Sequence, residues 1–375
     1  MATCSRPSDR PPWSPDPTLA ASYHLTIVGG GPAGSVLALL SARRGMRVLL
    51  AERPRSDRRK LGETVPSEIK PTLARLGLAH VLEGPRHREA PAIASVWGSA
   101  DPAERSYITS PYGNALHLDR HAFDDSLAHA ARTAGADLRV AQIIRFEPRA
   151  RGGYDVITST GQRTATGLVA LAGGRCSRGC GLPYVRRHLD DHAAVAARLE
   201  SSTAQQEHRT LIEAIPGGWF YLAPLANGHI VVVLVTSAMS IPGGRAERRQ
   251  WWLALLARTT MIRSSLVGCR LPTELSVCDA RASFASTPAG VSWFAIGDAR
   301  LAPDPLSGCG IIWALDDAIA AAQAMAETSP HHMAAAMMER TRRDVADYRA
   351  GRARAYAEER RFPHDPYWQS RAGAG

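Results

Sequence analysis

The 375-residue chain contains only two lysines, Lys60 and Lys70, so its 45 basic residues are almost entirely arginine. Set against 35 Asp and Glu, they leave a formal net charge of +10. A nucleic-acid reader concentrates such charge and interleaves it with aromatics. Here the charge is dispersed, with modest clusters at Arg53 to Lys60 and Arg340 to Arg361, and aromatic residues make up 6% of the chain. No nucleic-acid partner is expected. Two readings remain: a solvated arginine-rich surface, or attraction to an acidic partner protein or anionic substrate.

Long apolar runs are also missing. No stretch reaches the about 18 uninterrupted apolar residues of a membrane span. The start "MATCSRPSDRPPWSPDP" is too polar and proline-rich for a secretory signal. It reads as a disordered arm over 1–22 on a cytoplasmic protein with no membrane role. The six cysteines (Cys4, Cys176, Cys180, Cys269, Cys278, Cys309) show no paired metal-ligand spacing and are sparse for a disulfide scaffold, so reduced thiols are expected. HExxH, GxSxG and CxxC signatures are absent as well, so neither a metal nor an activated nucleophile is indicated.

What is present begins with "YHLTIVGGGPAGSVLALLSARRGMRVLLAER". An apolar strand, Leu25 to Val28, runs into Gly29, Gly31 and Gly34. A helix follows with apolar residues at Val36, Leu37, Leu39 and Leu40, and a second strand, Val48 to Ala51, ends on Glu52. This is a βαβ unit. A lone GxGxxG is weak evidence, but placement between strand and helix, with an acidic residue closing the next strand, makes it a dinucleotide fingerprint. Gly29 forms the tight turn, Gly31 leaves room for a pyrophosphate and Gly34 lets helix and strand approach. The helix N-terminus supplies unpaired N–H donors, and Glu52 would hold ribose hydroxyls. Ala33 and Arg53 flank these positions and are included as cofactor contacts.

FAD and NAD share this fingerprint, and the stretch "GDARLAPDPLSGCGIIWALDDA" (297–318) decides between them. The strand-like Trp293 to Ile296 precedes it, and a helical pattern follows from Ile311 to Ala326. Asp298, at the end of the strand, would accept hydrogen bonds from ribityl hydroxyls, which NAD lacks. Gly308 and Gly310 would let backbone pass close to a flat ring. The helix from about Ile311 would aim its positive end at the pyrimidine edge, where reduced flavin becomes anionic.

On these residues the chain resembles the flavoprotein monooxygenases of the p-hydroxybenzoate hydroxylase superfamily, in the branch that holds flavin-dependent halogenases and the peptidyl-tryptophan oxygenases of quinone-cofactor maturation. The resemblance spans roughly residues 23 to 371, through "IVGGGPAG", "LGETVPSEIKPTLARLGL", "ASVWGSA", "LHLDRHAFDDSLAHAA", "LAGGRCS", "GGWFYLAPLANGHIVVVLVT", "GDARLAPDPLSGCGI" and "ERRFPHDPYWQSR". It implies that Gly62 and Glu63 line the isoalloxazine and that Arg120 reaches the flavin phosphates or ribityl chain. It also implies that Asp298 binds the ribityl chain, with Pro305, Gly308, Gly310 and Ile311 framing the ring. Alternative readings are that Arg120 pairs with Asp119 or Asp124 and that Glu63 caps the helix after it.

The departures are informative. Where single-component hydroxylases carry an Asp-Gly pair, this chain has Gly173 and Gly174. NAD(P)H is therefore the electron donor either directly or through a separate flavin reductase. Halogenases of the family place a lysine between flavin and substrate and carry Trp-x-Trp-x-Ile-Pro. Here no lysine follows Lys70, and the aligned stretch is "WFYLAP", Trp219 to Pro224. The function implied is an FAD monooxygenase that hydroxylates an indole-type ring through a flavin C4a-hydroperoxide, on an aromatic or peptidyl substrate. A tryptophan halogenase and a non-oxygenating reductase on the same scaffold are the alternatives. His117 and Glu63 are the catalytic candidates; His117 sits in "NALHLDR", and an imidazole titrates near neutrality. Trp97, Trp219, Tyr221 and Trp313 are candidates to surround the acceptor ring. Cys309, between two flavin-site glycines, reads as a buried structural thiol.

The expected architecture is α/β. A Rossmann-type FAD domain over 23–85, 113–186 and 281–328 is interleaved with a smaller sheet-built substrate domain over 86–112 and 187–280. A C-terminal helix and tail cover 329–375. The tail lacks the long extension of tryptophan halogenases, which predicts an open site.

Overall fold

The structure, a computed structural model, describes residues 22–54, 61–200, 207–327 and 330–373. Of the arm expected over 1–22, residues 1–21 lie outside these residues, as does Lys60, and Ser22 opens a strand. The fold is mixed α/β and is organised on two large sheets.

The first sheet carries the dinucleotide fingerprint. Strand Ser22–Val28 lies between Arg163–Leu171 and Val48–Glu52 and is parallel to both, with Trp293–Ala295 and Asp137–Val140 continuing the parallel core on either side. A parallel sheet needs cover on its faces. The fingerprint helix Pro32–Arg43 packs between helix Arg120–Thr133 and helix Gly310–Glu327. Its Val36, Leu37 and Leu39 join Ile27, Leu50, Phe123 and Leu315 in one apolar core. The strand and helix expected around 293–326 are thus observed at Trp293–Ala295 and Gly310–Glu327.

The second sheet has seven strands in the order Ser276–Asp279, His192–Glu200, His229–Ser237, Gly218–Pro224, Thr210–Ile215, Ala92–Val96 and Ala103–Ser106. All its pairings are antiparallel except that between Thr210–Ile215 and Ala92–Val96. Its central strands read as continuous apolar runs because both faces are covered. On one face, helix Arg245–Leu256 sets Trp252 against Phe220, with ring centroids 5.5 Å apart. Removing either ring would cost about 3–5 kcal/mol. On the other face, Trp219 and Val233 meet Tyr356, Tyr367 and Trp368 from the C-terminal segment.

Between the two sheets sits a small one, in which Ala115–His117 pairs antiparallel with both Thr64–Val65 and Arg88–Ala90. The chain crosses into the seven-stranded sheet just after Arg88–Ala90. Helix Pro330–Ala357 runs along the fingerprint sheet, where Met333 and Met337 enter its core, and ends against the seven-stranded sheet at Tyr356. Among the described residues no helix is long and apolar enough to cross a membrane.

Candidate functional site

The fingerprint turn is held by close packing. Gly29 adopts φ +113°, and a Cβ there would lie 2.4 Å from the Ala172 carbonyl oxygen. A Cβ on Gly34 would lie 1.9 Å from the Gly29 oxygen. A Cβ at Gly31, by contrast, would meet nothing within 4 Å. Gly31 is the N-cap of helix Pro32–Arg43 and provides no side-chain cap, so the first N–H groups face open space. Ala33 packs beneath Gly297, whose φ is +57°. Glu52 accepts a hydrogen bond from the Gly30 N–H through Oε2, which leaves Oε1 for a ligand. Arg53, the next residue, is exposed.

The second wall is the loop ahead of helix Gly310–Glu327. Asp298 lies in the turn Gly297–Ala299, and its Oδ2 is 3.4 Å from the Arg175 Nε. Pro305 and Gly308 are exposed, Gly308 adopts φ +60°, and a Cβ on Gly308 would meet nothing within 4 Å. Gly310 and Ile311 open the helix itself. Burial raises the Cys309 thiol, which therefore keeps its proton.

The third wall is the loop into Thr64. Gly62 adopts φ +94° and its N–H donates to Glu63 Oε2 at 3.0 Å. The Glu63 carboxyl is buried and raised by desolvation, against the lowering pull of its own backbone N–H and of Arg120. Arg120 begins helix Arg120–Thr133, capped by Asp119. Its Nη1 donates to the carbonyls of Leu61 (2.8 Å) and Gly62 (3.2 Å), and Asp124 sits 3.4 Å from Nη2. The guanidinium thus ties this loop to the helix. Its Nε is buried without a hydrogen-bond partner among the described residues, a donor left for a ligand.

These features fit FAD. An open helix N-terminus suits a pyrophosphate, an exposed left-handed glycine loop suits a flat ring, and Glu52 and Asp298 suit hydroxyl groups.

The four aromatic candidates fall in different places. Trp97 and Trp219 meet edge-to-face at 6.4 Å and are covered by the tail: Trp97 Nε1 donates to the Ala355 carbonyl, and Trp368 meets Trp97 edge-to-face at 5.1 Å. Tyr356, Phe362, Tyr367 and Trp368 of the tail pack over this face. Tyr221 bonds the loop at Thr64. Trp313 lies apart, edge-to-face with Tyr348, and lines a cavity of about 450 Å³ between helices Gly310–Glu327 and Pro330–Ala357.

His117 is fully buried, its Nε2 2.9 Å from the Thr210 hydroxyl. Burial, followed by the Arg88 charge, lowers it to about 3, so it stays neutral throughout ordinary pH.

Sequence reasoning missed Asp304. This buried carboxylate accepts from the Leu306 N–H, the Tyr356 hydroxyl and Arg352 Nε, and faces His192 Nδ1 at 3.1 Å. It is held well below the usual carboxylate range, most strongly by His192, although burial alone would raise it. Asp190, His192 and Asp304 could geometrically hold a metal ion. Arg352 reaches Asp190 at 2.9 Å and Arg371 donates to His192 Nε2, while His192 Nδ1, which faces both carboxylates, has no hydrogen-bond partner among the described residues. The one hint in the sequence was the carboxylate immediately before Pro305 in the ring loop.

No protein-family model matches the chain. It is 28% identical over 359 residues to LodB of Marinomonas mediterranea, named as an FAD-dependent oxidoreductase, an alignment that covers 93% of this chain and 97% of the relative. Its fold is similar to that of the myxobacterial chondrochloren halogenase CndH, an FAD-dependent halogenase, with a TM-score of 0.81 at 22% identity over 94% of this chain and 86% of that one. It is likewise similar to QhpG, a peptidyl tryptophan dihydroxylase essential for tryptophylquinone cofactor biogenesis, with a TM-score of 0.78 at 21% identity over 94% and 79%.

Proposed function

Because this chain is an FAD-dependent oxidoreductase with the fold shared by flavin-dependent halogenases, we propose that it is a monooxygenase that hydroxylates an indole-type aromatic ring carried on a peptide or protein. Bound FAD, once reduced, supplies the activation of O₂, with one oxygen atom going to the ring and the other to water. The protein's own work is to bind, to orient and to exclude water.

In this reading the N-terminus of Pro32–Arg43 holds the pyrophosphate, Glu52 the ribose and Asp298 the ribityl chain. Pro305, Gly308, Gly310 and Ile311 frame the ring, whose anionic reduced form is favoured by the positive end of helix Gly310–Glu327. Arg120 fixes the Gly62–Glu63 loop by its carbonyl contacts. Glu63, raised by desolvation, would sit beside the ring. Trp313 and Tyr348 offer aromatic surface in a cavity whose volume suits an indole-bearing side chain. The electron donor is NAD(P)H acting through a separate flavin reductase, since Gly173 and Gly174 offer no carboxylate for a nicotinamide. An acidic partner protein would suit the chain's +10 charge.

The observation that carries hydroxylation over halogenation concerns lysine. Lys70 is the one lysine among the described residues, and its ammonium donates to the exposed Tyr112 carbonyl at 3.1 Å. Its engagement there supports hydroxylation; Lys60 lies outside the described residues. The similarity to CndH favours halogenation as the second reading. Supplying FAD, a flavin reductase and NADH with a tryptophan-containing peptide in chloride or bromide buffer tests the two. A product heavier by one oxygen supports the monooxygenase, and a halogenated product supports the second reading.

A further inference from the structure

The two buried groups of the site that the sequence offered as acid and base, Glu63 and His117, are not neighbours, but a file of hydroxyls runs from His117 to Thr64, the residue after Glu63. Thr64 follows Glu63 directly, and its register partner across the small sheet is His117. The Thr64 Oγ1 lies 2.6 Å from the Tyr221 hydroxyl and 3.2 Å from the Thr210 Oγ1. The Thr210 Oγ1 lies 2.9 Å from His117 Nε2. The Thr64 N–H donates to the Tyr221 oxygen at 3.2 Å and fixes the phenol over the loop. The file is built from two sheets: Thr64 and His117 belong to the small sheet, and Thr210 and Tyr221 to the seven-stranded one.

Each hydroxyl in such a file accepts one proton and gives one up, so the whole file can turn over without a net charge resting on any threonine. The two ends are suited to this. Burial raises the Tyr221 phenol, so it stays protonated. His117 stays neutral and has a nitrogen facing Thr210. Beyond His117 lie Arg88, Glu207 and the exposed His208, with Arg88 Nη2 bonded to the Glu207 carbonyl and contacting the His208 ring. The file thus runs to the flavin loop from a residue paired in register with Arg88, and the His117 Nδ1 has no hydrogen-bond partner among the described residues.

The proposed reaction needs such a route. Writing the acceptor as A–H and bound reduced flavin as its monoanion, A–H + O₂ + FADH⁻ + H⁺ gives A–OH + H₂O + FAD. The reduced flavin supplies both electrons and one hydrogen, and one proton per turnover must come from elsewhere. The geometry points to His117, Thr210, Thr64 and Tyr221 as a buried relay that delivers this proton to the Glu63 end of the flavin loop, so that Thr64, Thr210 and Tyr221 serve the reaction. This rests on the flavin reading above.

The test uses the full chain loaded with FAD and compares Thr210→Val, which keeps the shape and breaks the file, with Thr210→Ser, which keeps the hydroxyl. FAD binding is measured first, by the visible spectrum and a titration. A wild-type chain that fails to bind FAD overturns the flavin reading and leaves the relay aside. With FAD bound, both variants should bind it as the wild type does. Thr210→Val should slow product formation on the order of 100-fold, with a larger solvent deuterium isotope effect and partial rescue by added formate or imidazole. Thr210→Ser should stay near the wild type. A second readout needs no flavin: the ¹⁵N shift of His117 Nε2 should move in Thr210→Val and hold in Thr210→Ser. Unchanged rate, isotope effect and nitrogen shift in Thr210→Val, with FAD bound, would overturn the relay.

Discussion

The Tyr356 hydroxyl donates to Asp304 Oδ2 at 2.9 Å and accepts from the Trp219 indole N–H at 3.1 Å. One phenol on the C-terminal helix thus ties the loop that would frame the flavin ring to the central strands of the second sheet. Tyr348 adds a second bond to the same loop, from its hydroxyl to the Asp304 N–H, in which the oxygen accepts at 2.8 Å. The tail is therefore part of the cofactor site's support.

Tyr356→Phe should cost about 1–2 kcal/mol of stability, because it leaves the Trp219 donor without its acceptor and removes one bond to Asp304. Asp304→Asn should cost more, about 3 kcal/mol, because Arg352 and His192 each lose one of two facing carboxylates in a buried setting. Both should weaken FAD binding. Denaturant unfolding and a flavin titration on the same preparations check this. The sign with pH follows from the depressed Asp304: its contribution is fully present above the unfolded carboxylate value of about 4 and is lost as pH falls below it.

The two fingerprint glycines should behave differently. Gly34→Ala puts a methyl group on the Gly29 carbonyl and should prevent folding or unseat the helix. Gly31→Ala meets no protein atom and sits at φ −73°, a value alanine adopts freely. It should leave the melting temperature nearly unchanged and weaken FAD binding by on the order of 10-fold or more, the equivalent of about 1.4 kcal/mol. Thermal melts of the FAD-free variants, followed by FAD titration, separate the two effects.

Neutral His117 makes stability depend on pH in a defined window. Its folded value of about 3 lies below the unfolded value of about 6.5, so between them the unfolded chain binds the extra proton. Stability should fall as pH drops through that window, by up to about 1.4 kcal/mol per pH unit from this residue. His117→Gln, which can still bond Thr210, should remove that slope, measured as unfolding free energies at several pH values from 7 downward. Arg88, Glu207 and His208 are the charged or titratable groups that act on His117, and they remain in the variant.

The Arg300–Asp317 pair is buried to 2% on both sides and is bidentate, at 2.8 and 2.6 Å, while Asp317 Oδ2 also accepts from the Gly297 N–H. Asp317→Asn should destabilise by about 3–5 kcal/mol. It should also disturb the turn that carries Asp298, which visible circular dichroism of bound FAD would report.

The elements that carry the candidate cofactor residues were legible because their determinants are local. Gly29, Gly31, Gly34 and Glu52 fall within one βαβ unit, and Trp293 to Ile311 form one strand, loop and helix, so spacing alone carries the geometry. The strands Gly218–Pro224 and His229–Ser237 could likewise be read from composition. Asp304 was not legible, since His192, Arg352 and Tyr356 reach it from separations of 48 to 112 residues, which no local pattern encodes. His117 was offered as a titrating group on the ordinary value of an imidazole, and its complete burial, which no local pattern shows, desolvates it. Trp97 and Trp219 were offered as walls of an open pocket, and only the fold reveals Tyr356 and Trp368 lying over them.

The most direct test of the account is the source of the atom added to the substrate. FAD-loaded protein is reduced by a flavin reductase and exposed to ¹⁸O₂ with a tryptophan-containing peptide in halide buffer, and the product is weighed by mass spectrometry. The account predicts a peptide carrying one ¹⁸O on the indole per turnover. A halogenated peptide without label, or reduced flavin that reoxidises with the peptide unaltered, would contradict it.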